Sequence, residues 1–489
     1  MGRGDAGHPT GDPGDRHPVR GTLVLLLVLA LVVGGIAAWR YDLLDRFRDA
    51  PDPGTEPAAV APPPGVTVPG VVAPPAVAAA SATTRSLDPA AVRRTLAPYL
   101  RDRDLGRHVL AEVAPLEGGP RFTSGGPRDT AIPASTTKVV TSTAALLALG
   151  PDHTFTTEVR RQGRRLVLVG GGDPLLERGP RASDGTPWAY PARATLSDLA
   201  AATKAALAQE PAPRALRLDF DDSLFSGPAV NPTWEADYVP DSVVSPTSAL
   251  WVDEGRSPDG SGSRVADPAA EAARSFAAAL AEVGVTVRGT PTRVTAPDVQ
   301  PLASVESAPL GSVVERVLGV SDNEAAEVLL RHVGLARAAE GSIAAGREGV
   351  RTILAQAGVP LGRSVFHDGS GLSRANRADP STLVGVLQVA ASADHPELRH
   401  AVTGLPVAAF TGSLADRMSE GPPAGRGRVQ AKTGTLEFVR SLAGLATMPD
   451  GTVVVFALMA DRIPAEKSTV AQVDLDSAAA ALGACSCGS

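Results

Sequence analysis

Ser135 and Lys138 are the residues whose types and spacing most directly suggest chemistry in this chain. They lie in Ile132-Pro133-Ala134-Ser135-Thr136-Thr137-Lys138-Val139-Val140, which runs into the apolar, alanine-rich stretch Thr141–Gly150. Positions three apart on a helix share a face, so a hydroxyl and an amine are brought side by side. A neutral amine can take the hydroxyl proton and make a nucleophile, and burial or a second cation favours the neutral form. The stretch predicts a helix. Pro133 suits a first turn, Ser135 and Thr136 can satisfy free N–H groups, and Gly150 supplies a stop. Alone, Ser-x-x-Lys is a cheap match, explained as well by a cap followed by a surface lysine.

Lysine usage moves the balance. Of the 46 Lys+Arg residues, four are lysines: Lys138, Lys204, Lys432 and Lys467. Arginine does not deprotonate in a protein and cannot serve as a base, so a lysine kept in such a chain is informative. Downstream stand Ser321-Asp322-Asn323 and then Lys432-Thr433-Gly434-Thr435. Ser-x-x-Lys, Ser-Asp-Asn and Lys-Thr-Gly in that order form the three-part pattern of serine acyl-enzymes that recognise penicillin. Ser321-Asp322-Asn323 by itself is also a good helix cap, and Lys432-Thr433-Gly434 by itself could be a turn before a strand. On a strand edge, Lys432 and Thr433 would offer a cation and a hydroxyl. Gly434 would let a substrate backbone approach, and Thr435 could pair with it by main-chain hydrogen bonds.

These groups need a scaffold, and the bulk numbers allow one. With 489 residues, 43% hydrophobic and 20% charged, the chain is globular and can bury more than one core. A net charge of −7 argues against a nucleic-acid partner, since there is no basic surplus to neutralise phosphates. The two cysteines, Cys485 and Cys487, offer neither a disulfide framework nor a metal site, and read as neutral tail residues. No cluster has metal-ligand spacing, and the proposed chemistry needs neither metal nor cofactor. The histidines include His332, His367, His395 and His400, but no Gly-x-Ser-x-Gly elbow accompanies them. His367 beside Asp368 reads as a hydrogen-bonding loop residue.

Along the chain, residues 1–20 read as a disordered cytoplasmic tail. Within 21–39, Thr22–Trp39 is an uninterrupted apolar or small-residue run that reads as an uncleaved, membrane-spanning signal-anchor. Residues 40–86 read as a Pro/Ala-rich spacer. Folding is expected to start at Leu87, with a helix over Pro89–Arg101 and a strand over Arg107–Val113. Thr154–Arg160 and Arg164–Val169 predict a hairpin. Helices follow at Leu196–Gln209, Pro268–Val283 and Ala308–Leu318, with a strand at Ala215–Asp219 between the first two. A helix from Glu324 to about Val333, a hairpin of Arg440–Ala446 with Thr452–Met459, and a helix over Ala465–Leu482 complete the pattern.

With all three motifs in hand, the chain resembles the class C low-molecular-mass penicillin-binding proteins, the serine D-alanyl-D-alanine carboxypeptidase/endopeptidase family. The resemblance runs from about Leu87 to Leu482. It is carried further by Gly170–Pro174, by Asp221-Asp222-Ser223-Leu224-Phe225 with Trp234 and Ser248-Ala249-Leu250, and by Ala326-Glu327-x-Leu329-Leu330 after the second motif. His367-Asp368-Gly369-Ser370-Gly371-Leu372-Ser373-Arg374-x-Asn376-Arg377 adds to it.

The resemblance implies an α/β (α+β) fold of the penicillin-binding-protein/β-lactamase-like transpeptidase type. An antiparallel sheet is flanked by helices, beside an all-helical part and an inserted β-rich subdomain. The implied division is 87–153 and 296–482 for the catalytic domain, 154–295 for a reduced insert, and 483–489 for a tail.

By the same resemblance Ser135 is the acylated nucleophile, Lys138 its base, Ser321 a proton relay and Asn323 a holder of the substrate amide. Lys432 and Thr433, with Gly434 and Thr435 beside them, bind the terminal carboxylate. The N–H groups of Ser135 and Thr435 form an oxyanion hole. Asp221 and Arg374 bind the side chain of a diamino acid. The implied partners are peptidoglycan stem peptides ending in D-Ala-D-Ala and, as inhibitors, β-lactam antibiotics, with the membrane engaged through the N-terminal segment. The expected location is the cell membrane, single-pass, with the catalytic domain on the extracytoplasmic side, or secreted if that segment is cleaved. A β-lactamase or esterase of the same fold, or an inactive wall-binding module, are the alternatives.

Overall fold

The computed structural model describes residues 86–126, 129–179, 190–209, 216–418 and 422–488. The expected tail, membrane segment and spacer of residues 1–85 lie outside the described residues. No helix among the described residues is long and apolar enough to cross a membrane.

The central element is a five-stranded antiparallel sheet. Its strands are β1 (Val109–Pro115), β2 (Phe122–Ser124), β7 (Val429–Leu436), β8 (Val439–Thr447) and β9 (Val453–Ala460), in the order β2-β1-β9-β8-β7. β9 reads Val-Val-Val-Phe-Ala-Leu-Met-Ala without a polar break because both of its faces are covered. Val455, Ala457 and Met459 enter one core, while Val454, Phe456, Leu458 and Ala460 enter the other.

Against the second of these faces lie α1 (Pro89–Leu100) and α10 (Ser468–Ala484). Against the first lie α2 (Thr137–Leu149), α5 (Leu310–Val320), α6 (Asn323–Ala338), α7 (Ile343–Gln356), α8 (Pro380–Ala391) and the short α9 (His400–Thr403). α2 is buried over Thr137–Leu146, polar residues included, so this part of the helix has no solvent-facing side.

A second sheet takes the order β5-β4-β3-β6, with β3 (Thr156–Gln162), β4 (Arg165–Val169), β5 (Arg217–Asp221) and β6 (Pro301–Glu306). β3 and β4 pair antiparallel, as the hairpin pattern predicts, while β4 and β5 run parallel. Its own core is closed by α3 (Leu196–Leu207) and α4 (Pro268–Glu282). The sheet extends past residue 295 through β6, a strand with no fully buried residue and no clean alternation of apolar and polar side chains.

Two sequence expectations need correction. β1 begins at Val109 and β5 at Arg217, each two residues later than read, because their pairing with β9 and β4 starts there. The cysteines are not neutral tail residues. Cys485 and Cys487 form a disulfide with Cα atoms 5.3 Å apart, a span that disulfides bridge. Cys487 is buried in the core beside α1, and its carbonyl accepts the Asp88 N–H at 2.8 Å. The end of the chain thus pairs with the start of the folded body.

Candidate active site

Ser135 lies in the 3-10 turn Ala134–Thr136 that leads into α2. Ala134 carries φ +48°, a left-handed conformation that a residue with a Cβ adopts only when neighbours hold it there. The neighbours are visible. The Pro133 carbonyl accepts hydrogen bonds from the Ser441 hydroxyl at 2.5 Å and the Thr136 hydroxyl at 2.7 Å. A Cβ on Gly371 would collide with the Ala134 carbonyl, so that loop closes on the turn from the other side. Ser135 and Thr136 do not cap the helix with their side chains, contrary to the expectation. The Thr136 hydroxyl donates backwards, and the Ser135 hydroxyl is left to the cleft.

Lys138 is fully buried. Its Nζ donates to Ser135 Oγ at 3.0 Å, Asn323 Oδ1 at 2.7 Å and the Ser370 carbonyl at 2.7 Å. The i, i+3 spacing therefore does what the sequence suggested. Burial pulls the amine down to about 8, against the opposing pull of the carboxylates of Asp368, Asp322, Glu327 and Glu324. An amine at that level exchanges its proton near neutral pH, which an ordinary surface lysine does not.

Ser321-Asp322-Asn323 is the joint between two helices. Ser321 ends α5 in the left-handed conformation, φ +64°, and Asp322 caps α6 by accepting the Ala325 N–H at 2.9 Å. Asn323 is the first residue of α6. Its carbonyl oxygen faces Lys138, and its Nδ2 donates to the Val243 carbonyl at 3.0 Å.

Lys432-Thr433-Gly434 is part of an edge strand, not a turn before one. The outer edge of β7 is partly used: Val429 O accepts Ala408 N–H and Ala431 N–H donates to Pro406 O. Main-chain groups of alternate residues point the same way along a strand. Thr433 and Thr435 therefore turn their N–H and C=O groups to this same outer edge. Thr435 presents both to the cleft, while the Thr433 carbonyl accepts Lys432 Nζ at 2.9 Å. Lys432 is fully buried, and burial, then the charges of Lys138 and Arg417, hold it well below the usual lysine range. The Thr433 hydroxyl meets the Ser413 hydroxyl at 3.0 Å.

Gly434 has a different reason from the one expected. A Cβ there would overlap Ser441 Oγ and come within 2.5 Å of the Pro133 carbonyl oxygen. Its missing side chain admits the nucleophile turn, not the substrate.

One cleft of about 460 Å³ collects Ser135, Ser321, Asn323, Thr433 and Thr435. Arg374 also lines it, with Nη2 donating to the Glu437 carbonyl at 2.9 Å and Nε 3.7 Å from Glu235. Asp221 does not line this cleft, which corrects its placement as a substrate binder. It ends β5, and its two carboxylate oxygens accept the backbone N–H groups of Ser223 at 2.8 Å and Ala296 at 2.6 Å.

Sequence reasoning missed the supports. Buried Asp368 accepts from Trp234 Nε1 at 2.9 Å, Gly371 N at 3.0 Å, Ser373 N at 2.6 Å and Asn376 Nδ2 at 2.7 Å. Buried Glu327 accepts the N–H groups of Gly369 and Ser370. Together they shape the loop whose Ser370 carbonyl faces Lys138. The clustering of Gly and Ser around Asp368 is the signal that could have revealed this. His332 lies elsewhere, bonded to the Gly172 carbonyl and packed between Phe155 and Phe225.

Several known proteins are similar to this chain. Carboxypeptidase DacB of Mycolicibacterium smegmatis is 32% identical over 485 residues, covering 96% of this chain and 98% of that protein. A D-alanyl-D-alanine carboxypeptidase of Actinomadura sp. is 32% identical over 390 residues, 65% of this chain and 71% of that protein. The crystal structure of penicillin binding protein 4 (dacB) from Haemophilus influenzae superposes with a TM-score of 0.62 at 22% identity, over 79% of this chain and 97% of that one, a likeness of fold. Residues 92–259 and 257–482 match one family description, and with the full-length likeness this makes the chain a member of the D-Ala-D-Ala carboxypeptidase 3 (S13) family.

Proposed function

We propose that the chain is a serine-type D-Ala-D-Ala carboxypeptidase that acts on peptidoglycan stem peptides through an acyl-enzyme on Ser135 and is acylated by penicillin. The observation that carries this reading is the fully buried Lys138 amine, 3.0 Å from Ser135 Oγ. A neutral Lys138 takes the Ser135 proton as Oγ attacks the carbonyl before the terminal D-Ala. Ser321 passes a proton to the leaving amine, the C–N bond breaks, and D-Ala departs from a Ser135 ester that water then hydrolyses. The N–H groups of Ser135 and Thr435 receive the developing oxyanion, the kind of contribution that is usually largest in acyl transfer. Thr435 faces the open edge of β7, where a substrate strand can add. Lys432 and Thr433 take the terminal carboxylate, and Asn323 the substrate amide. Arg374 at the cleft rim takes an anionic group of the stem peptide.

Cleavage of D-Ala cross-links by the same acyl-enzyme is the finer reading of this site. An intact Ser–Lys pair counts against the inactive-module alternative. Thr22–Trp39 serves as a single-pass anchor that places the catalytic body outside the membrane, a reading that rests on its run of apolar and small residues. Release of D-Ala from a synthetic stem pentapeptide tests the activity. Ser135→Ala should lower it by at least ~10³-fold, and a variant that keeps its rate would contradict the assignment.

A further inference from the structure

Under the second motif lies a buried ionic cluster that the mechanism above does not use. The carboxylates of Glu254, Asp322 and Glu324 all lie within 4.8 Å of one another, and all three side chains are buried. Three carboxyl groups at that separation cannot all hold a charge without compensation, and arginines stand beside each of them. Arg316, from α5, reaches two of the carboxylates at once, with Nη2 3.1 Å from Glu254 Oε1 and Nε 3.4 Å from Asp322 Oδ2. Arg264 Nη2 stands 2.6 Å from Glu324 Oε1, in a pair with 6% and 5% of the side chains exposed. Arg256 pairs with Glu254.

The geometry joins distant parts of the chain. Glu254, Arg256 and Arg264 belong to one segment, tied across by a bridge between Arg256 and Arg264. Asp253, Glu254 and Gly255 have consecutive positive φ angles of +49°, +58° and +72°, so this backbone is held in a demanding shape that delivers Glu254 inward. Asp322 and Glu324 flank Asn323, whose Oδ1 meets Lys138 at 2.7 Å. Ser321 precedes them in the left-handed conformation. Burial pushes Asp322 and Glu324 upward, whereas the guanidinium groups of Arg256 and Arg316 keep Glu254 low despite its burial.

We propose that Arg264 and Arg316 are positioning residues for the acyl transfer. From the 253–264 segment and from α5 they grip Glu324 and Asp322, and so fix Ser321 and Asn323 against Lys138 and Ser135. The inference rests on the serine acyl-enzyme reading above. A shift of about 1 Å in a group that must meet its partner at hydrogen-bond distance can slow a reaction about a hundredfold.

The test uses the full chain and the rate of penicillin acylation at Ser135, followed by intact mass over a range of penicillin concentrations to separate initial binding from the chemical step. Arg316→Lys keeps the charge but loses the fork that spans two carboxylates. The expected result is a protein with a near-unchanged melting temperature, initial binding within threefold of the parent, and a chemical step slowed tenfold to a hundredfold. The double variant R264Q/E324Q leaves no lone buried charge and should show the same split, while R264K, which can keep its single ion pair, should stay within threefold of the parent. Parent-like chemical rates per folded molecule in R316K and R264Q/E324Q would overturn the inference and leave the cluster a stabilising device. A parent chain that forms no adduct at all would overturn the acyl-enzyme reading and this inference with it.

Discussion

Lys432 and Lys138 share one buried site, and burial together with the charge of Lys138 holds the Lys432 amine well below the usual lysine range. The two amines are not equivalent. Lys138 has three acceptors around it and four carboxylates within reach of its field. Lys432 donates to the Thr433 carbonyl and has the cationic Arg417 as a neighbour. A substrate carboxylate arriving at Lys432 and Thr433 favours a charge on Lys432, and that charge favours release of the proton from Lys138. Substrate binding and base activation are coupled through this pair.

The first prediction is a pH profile. The active form of Lys138 is neutral, and its amine sits at about 8. Raising the pH removes the proton, so the acylation rate should climb about tenfold per pH unit below 8 and level off above it. Stopped-flow acylation with a chromogenic cephalosporin between pH 6 and 9.5 (a range in units of pH, about three and a half units wide) checks this. A flat profile would mean that Lys138 is not the base.

Gly434→Ala should cripple the site without touching a catalytic side chain. The added Cβ meets Ser441 Oγ and the Pro133 carbonyl, and the latter belongs to the turn that holds Ser135. Acylation should fall by roughly 10²-fold. Adding Ser441→Ala should not restore it, because the Pro133 carbonyl remains in the way. A G434A enzyme with normal rate would show that the turn yields freely.

Asp368→Asn tests the loop behind Lys138. The carboxylate accepts from Trp234, Gly371, Ser373 and Asn376, and an amide nitrogen in its place faces donors. A loss of about 2–4 kcal/mol in unfolding free energy is expected, read from denaturant titration. Acylation of the remaining folded protein should also slow, since the Ser370 carbonyl faces Lys138. A stability within 0.5 kcal/mol of the parent, about the scatter of surface substitutions, would remove Asp368 from this role.

Arg374→Ala separates peptide recognition from acylation chemistry. Arg374 lines the cleft rim beside Glu235 and Tyr238 and donates to the Glu437 carbonyl, whereas Lys138 meets Ser135, Asn323 and the Ser370 carbonyl. KM for an anionic stem peptide should rise about tenfold, equivalent to about 1.4 kcal/mol, while penicillin acylation stays within about threefold. Equal losses on both substrates would place Arg374 in the chemistry instead.

Much of this site was legible because its parts are local. Ser135 and Lys138 share a helix face through their spacing alone, and Ser321-Asp322-Asn323 carries cap-type residues where two helices meet. The hairpin of β8 and β9 follows from two apolar runs joined by Met448-Pro449-Asp450-Gly451. What failed was long-range. Asp221 has a polar side chain in a motif-rich stretch, yet its oxygens are consumed by the backbone of Ser223 and of Ala296, which lies far along the chain. The same holds for the Asp368–Trp234 contact, which spans 134 residues. Gly434 showed the need for a small residue but not the neighbour that requires it, because Pro133 and Ser441 reach it only in the folded protein. The cysteine pair misled because spacing alone says nothing of the core that receives Cys487.

The most direct measurement is the intact mass of the protein after exposure to penicillin, with the modified peptide mapped by fragmentation. One equivalent of penicillin per chain is expected, attached at Ser135 and absent from Ser135→Ala. An unmodified parent, or an adduct that survives in Ser135→Ala, would contradict it.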